Sequence, residues 1–218
     1  MKMEEKRKLR SEIYLTGPAH PESKLPLIVI LHFMGGNPDE MFSYLLKGID
    51  FPARVIAPYG QYEFEGQYSW FPESLYAEDE SNQGKFVKEI ARILLENVER
   101  WEQEYLTEGK PIYLGMSQGG DIGFTLASQY GDRFRLFIPI AGRLLEEEII
   151  SRRTAGKVRI HHGEKDPIVP IIRAREAATR LQSVGMDVKL REYVGIEHVL
   201  TKEMRKAIID DIYTAVQE

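Results

Sequence analysis

Cysteine is absent from the 218-residue chain. Disulfides, thiolate nucleophiles and cysteine-ligated zinc are therefore excluded. Positive charge is also in short supply. Twenty-nine Lys and Arg stand against 34 Asp and Glu, and the net charge of −5 offers no basic field for nucleic acid. Long apolar runs are missing too: no window approaches the roughly 18 uncharged residues of a membrane span, so no integral membrane contact is expected. The opening "MKMEEKRKLRSEIYL" is charged and lacks the apolar stretch of a secretory signal. A cytoplasmic location is the expectation. No glycine-rich phosphate loop with its lysine is visible, no G-x-G-x-x-G closes a strand, and no cluster of metal ligands stands out. Neither a metal nor a cofactor is expected.

What the chain does contain is strand-like and helix-like runs in alternation. Hydrophobic residues make up 43%, enough for a sizeable core in one domain spanning 1–218. "LPLIVILH" (25–32) is short, β-branched and continuous, as a buried parallel strand should be. Runs at 53–58, 111–116, 135–141, 157–163 and 187–193 repeat the theme, and 11–15 reads as an edge strand. Helical periodicity fills 38–46, 82–105, 118–130, 171–184 and 201–216. Such alternation predicts a mostly parallel sheet of six to seven strands with helices on both faces. The 58–81 connection is a long aromatic loop of the functional or mobile kind. The 142–156 connection has room for one small helix and for no cap domain.

"YLGMSQGGDIGF" carries the chemistry. It matches G-x-S-x-G, with an apolar strand before it and an amphipathic helix after it. A serine there sits on a strained turn with its hydroxyl above the sheet, and glycines at 115 and 119 avoid collisions. The bland alternative is a glycine-rich turn needed only for packing. A serine hydroxyl needs a base, and a histidine base needs a carboxylate. Of five histidines, His20 lies in a Pro-rich turn, His32 ends a central strand, and His161 and His162 read as structural. His198, in "VGIEHVLTKE", follows the last strand, on the edge where open α/β sheets bind ligands. Asp166, in "HHGEKDPIVP", follows the strand before it, and Glu164 is its competitor. The order Ser117, Asp166, His198 is that of the Ser–Asp–His hydrolases. The N–H groups of Gln118 and of Met34, in "LHFMGGN", are the expected oxyanion donors. A plain Gly-Gly turn is the alternative for that loop.

Together "LHFMGG", "YSWFP", "GMSQGG", "HGEKDPIVP" and "GIEH" resemble the phospholipase/carboxylesterase group of the α/β-hydrolase superfamily, which includes acyl-protein thioesterases. The resemblance runs from Leu27 to the C-terminus. It implies an α/β-hydrolase fold without a cap, a Ser117–Asp166–His198 triad, and cofactor-free cleavage of small-molecule esters or thioesters through an acyl-enzyme. One departure is Phe33, where members often have glycine. Phe33, Gly35, Tyr68, Trp70 and Phe71 are the expected substrate-binding residues, with ordinary core packing as the alternative for each aromatic. An open, shallow site suits short to medium acyl groups. Free imidazole titrates near ~6.5, so activity should rise from acid to neutral pH. A monomer or homodimer is expected. A ligand-binding receptor or inactive scaffold on the same fold is the other reading, since fold does not fix function. An acyltransferase or peptidase ranks lower.

Overall fold

The computed structural model describes residues 8–145, 148–151 and 156–217. Seven strands form the main sheet: β1 (Ser11–Thr16), β2 (Leu27–Leu31), β3 (Ala53–Pro58), β6 (Ile112–Met116), β7 (Leu136–Ile140), β8 (Lys157–Gly163) and β9 (Val188–Tyr193). Their spatial order is β1-β3-β2-β6-β7-β8-β9. Only β1 runs antiparallel, against β3. The strand expected at 25–32 starts its regular pairing at Leu27, because Pro26 has no N–H to give. The chain leaves β2 toward one side of the sheet and returns at β6 to build the other side. Strand order therefore reverses between β2 and β6, which is where open α/β sheets open a crevice.

Alternation along the buried strands feeds two cores. Val29, Leu31 and Tyr113 face α2 (Glu80–Glu104), α3 (Gln118–Tyr130) and α4 (Ile171–Ser183). Ile28, Ile30 and Leu114 face α1 (Pro38–Leu45) and α5 (Lys202–Gln217). Both faces are thus covered, which explains why the central strands read as continuous apolar runs. The long α2 buries Val87, Ile90, Leu94, Val98 and Trp101. Each such side chain stabilises the fold by about 1.5–3 kcal/mol relative to exposure. The helix begins two residues before the position periodicity suggests, because the Asp79 side chain accepts the Asn82 N–H at 2.8 Å. Asn37 caps α1 in the same way, with Pro38 at its first position.

The aromatic 58–81 connection is more ordered than its composition suggests. It folds into a hairpin of β4 (Tyr62–Phe64) and β5 (Gln67–Ser69), then a short helical turn at Glu73–Ala77. The two-residue turn, Glu65 and Gly66, has φ of 49° and 75°, the left-handed pair that matches hairpin twist. Three-residue strands and a glutamate at the first turn position hid this hairpin from a sequence reading. In the 142–156 connection the described residues contain no helix, and 146–147 and 152–155 lie outside the described residues. Among the described residues no cap domain covers the carboxyl edge of the sheet, and no helix is long and apolar enough to cross a membrane.

Candidate active site

Ser117 stands between the end of β6 and the start of α3 with φ 55° and ψ −112°. A non-glycine residue in that region costs about 1–3 kcal/mol, so the surroundings must enforce it. They do so through close approach. A Cβ at Gly115 would lie 2.3 Å from the Gly119 carbonyl oxygen, and one at Gly119 would lie 2.8 Å from that of Leu31. The Ser117 N–H donates to the Ile140 carbonyl at 2.9 Å, and the Tyr113 hydroxyl donates to the Gly119 carbonyl at 2.6 Å. One turn into α3, Asp121 accepts from the Arg143 N–H and guanidinium at 2.6 and 3.0 Å. Burial pushes the Asp121 carboxyl above its usual range, and Arg143 opposes that shift.

Asp166 follows β8 in a tight turn. Its Oδ1 accepts the N–H groups of Ile168 and Val169 at 2.9 and 2.8 Å. Its Oδ2 meets His198 Nδ1 at 2.6 Å, with the carboxylate fully buried. An acceptor-only carboxylate places the proton on Nδ1 and leaves Nε2 with a lone pair. His162 Nε2 lies 3.5 Å from the same oxygen and donates to the Val169 carbonyl at 2.7 Å. Burial lowers the pKa of His162 and keeps that ring neutral. Glu164, the competing carboxylate, instead accepts the Gly195 N–H at 3.3 Å and seats the loop that carries His198. His161 bonds the Tyr193 hydroxyl at 2.7 Å and Asp211 at 3.3 Å, a structural network.

Ser117 and His198 line one cavity of about 400 Å³. Among the described residues the Ser117 hydroxyl and the His198 ring share no hydrogen bond, a link that in unliganded sites often closes only around substrate. The cavity wall is mainly apolar: Phe33, Met34, Met41, Tyr44, Met116 and Ile168. Val199 and Leu200 add to it, and Glu40 brings a carboxylate. Of these, sequence reasoning found Phe33 and Met34 beside Ser117 and His198. It missed the α1 contribution, for which the only signal was that Met41 and Tyr44 fall one helical turn apart. Among the described residues no group of three or more His, Asp and Glu side chains is arranged to hold a metal.

The other expected pocket residues lie elsewhere. Trp70 and Phe71 are buried at 1% and 2% exposure and pack in the α2–α3 core. Tyr68 stacks edge-on against Tyr59. Neither these three nor Gly35 belongs to the cavity wall. Tyr68 and Trp70 hold the loop after β2 instead, and Gly35 lies within that loop. The Gly35 N–H donates to the Tyr68 carbonyl at 2.9 Å, and Trp70 Nε1 donates to the His32 carbonyl at 3.0 Å. His32 itself donates from Nδ1 to the Phe33 carbonyl at 2.7 Å and accepts the Gly60 N–H at 2.9 Å. Burial pushes the pKa of His32 down to about 4. The Gln118 and Met34 N–H groups have no backbone partner among the described residues.

The phospholipase/carboxylesterase family profile matches residues 17–216. No curated protein matches the chain. Among solved structures, esterase PE8 superposes with a TM-score of 0.80 at 21% identity, over 95% of this chain and 99% of its own. The Bacillus cereus carboxylesterase gives 0.78 at 18% identity, over 94% of each chain. Zea mays acyl-protein thioesterase 2 gives 0.64 at 18% identity, over 94% of this chain and 98% of its own. At such identities the likeness is one of fold. The family match over nearly the whole length, together with the mostly parallel seven-stranded sheet, means that this chain belongs to the phospholipase/carboxylesterase family of α/β-hydrolases.

Proposed function

We propose that the protein is a serine hydrolase that cleaves carboxylic esters or thioesters of small to medium acyl groups through an acyl-enzyme. The observation that carries this reading is the buried 2.6 Å Asp166–His198 pair opening onto the same apolar cavity as the strained Ser117. His198 Nε2 takes the Ser117 proton as Oγ attacks the acyl carbon. Asp166 keeps the ring in the required tautomer and stabilises its cationic form. The carbonyl oxygen becomes an oxyanion between the Met34 and Gln118 N–H groups, each worth about 3–4 kcal/mol of barrier. The same proton then passes from His198 to the departing alkoxide or thiolate. Water, deprotonated by His198, attacks the acyl-enzyme and releases the acid. The apolar wall suits an uncharged acyl chain, which leaves water as it enters.

Turnover of p-nitrophenyl esters by wild type and Ser117→Ala tests the proposal. The variant is expected to lose at least about 10⁴-fold in kcat, since the nucleophile itself is gone. Wild type is expected to react with a fluorophosphonate probe and the variant to stay unlabelled. Undiminished turnover by the variant would refute the reading.

A further inference from the structure

Gln118 does more than begin α3. Its side chain is buried and fully engaged, with Oε1 accepting from the Trp70 N–H at 2.8 Å. Its Nε2 donates to Ser69 Oγ at 3.0 Å and to the Tyr76 hydroxyl at 2.8 Å. Trp70 carries the connection onward. Its indole N–H reaches the His32 carbonyl at 3.0 Å, and the His32 ring lies 5.2 Å from the indole. The segment just before Trp70 pairs with the loop after β2, through Gly35 N–H to Tyr68 carbonyl at 2.9 Å and Tyr68 N–H to Gly36 carbonyl at 3.3 Å. A continuous bridge therefore runs from the residue after the nucleophile, through Trp70, to the loop that presents Met34.

That bridge joins the two N–H donors assigned above to the oxyanion. They sit on separate segments, one at the α3 N-terminus and one after β2, with no covalent reason to keep a fixed separation. Preorganised donors are effective because they need no rearrangement as charge develops, so their spacing matters for the transition state more than for ground-state binding. We propose that Trp70 and the Gln118 side chain are positioning residues, which hold the Met34 and Gln118 N–H groups at the separation the oxyanion requires. This rests on the hydrolase reading above. Neither side chain lines the cavity, so neither needs to touch substrate.

The test compares Trp70→Phe, Gln118→Leu and the double variant with wild type on p-nitrophenyl butyrate, well below each melting temperature. Trp101→Phe, in the α2 core and outside the cavity wall, controls for general destabilisation. Each single positioning variant is expected to lower kcat about tenfold with KM within about twofold, inside the roughly hundredfold that a 1 Å misplacement can cause. The double variant is expected to match the worse single variant, because both interrupt one path. Affinity for a trifluoromethyl ketone, which forms an oxyanion on the serine, should weaken in step with kcat/KM. Replacing Trp70 by benzothienylalanine removes the N–H donor without changing the ring shape and keeps the test available if Trp70→Phe folds poorly.

The proposal is overturned if both variants keep wild-type kcat while losing stability like Trp101→Phe, or if only KM rises, or if the two effects simply multiply. A wild-type chain that neither turns over the ester nor reacts with fluorophosphonate sinks the hydrolase reading and this proposal with it. An active wild type with unchanged kcat in both variants sinks the bridge alone.

Discussion

Asp166 draws two hydrogen bonds from its own turn, from N–H groups two and three residues onward. The loop after β2 has its main supports elsewhere: Gly60 reaches the His32 ring from 28 residues away, and Trp70 reaches the His32 carbonyl from 38. One half of the site is thus shaped by a local turn that the flanking Pro167 and Pro170 stiffen. The other half is clasped by a hairpin that must first fold and dock. Local turns commit few residues and resist perturbation from a distance. A docked clasp transmits changes made behind the cavity into the spacing of groups that face substrate.

The sharpest way to break the local half is Asp166→Asn. It keeps the shape of the turn but no longer compels the proton onto His198 Nδ1. A fall in kcat on the order of 10⁴-fold is expected, with little change in KM. Steady-state kinetics on a p-nitrophenyl ester decides it, and a loss under tenfold would contradict the assigned base.

The clasped half is expected to carry acid sensitivity in stability. His32 has a folded pKa near 4, held down by burial, against about 6.5 for an unfolded histidine. The unfolded chain therefore binds more protons between those two values, and stability rises with pH across that window. The contribution is complete above about pH 6.5 and is lost as pH falls through 4, a span worth about 3 kcal/mol. His161 and His162 are shifted in the same direction by the same cause. Denaturant unfolding at pH 7 and pH 4.5 should show a smaller difference for His32→Asn than for wild type. An unchanged difference would mean that His32 is not buried in neutral form.

The smallest expected effect lies in the cavity both halves share. Glu40 is an exposed carboxylate in its wall. Glu40→Gln should raise kcat/KM about twofold for esters whose acyl chain ends in a carboxylate, relative to neutral chains, with the difference fading at high salt. Equal ratios in both proteins at low salt would remove Glu40 from specificity.

Much of the fold was legible before any coordinates. The strand run at 53–58 and the helix at 118–130 fall on β3 and α3 without adjustment. Strands buried on both faces must be apolar throughout, and helices between two layers must carry one apolar stripe, so both patterns survive in the sequence. Ser117, Asp166 and His198 were legible as candidates for a related reason: each follows the carboxyl end of a strand, β6, β8 and β9 in turn, where open α/β sheets bind ligands. Trp70 and Phe71 were not. An aromatic residue in a long connection looks the same whether it walls a cavity or fills a core, and only the burial of these two side chains against α2 and α3 separated the two.

Composition and spacing by themselves determined the fold class and the absence of thiol chemistry, and they singled out Ser117, Asp166 and His198 as the candidates for a serine mechanism. Strand order, the Asp166–His198 contact, the α1 wall of the cavity and the bridge from Gln118 to His32 were decided only in three dimensions. The reason is physical. Local pattern is written by which side chains meet water, a property of each segment alone, whereas a contact between residues 30 or more positions apart depends on how whole segments dock.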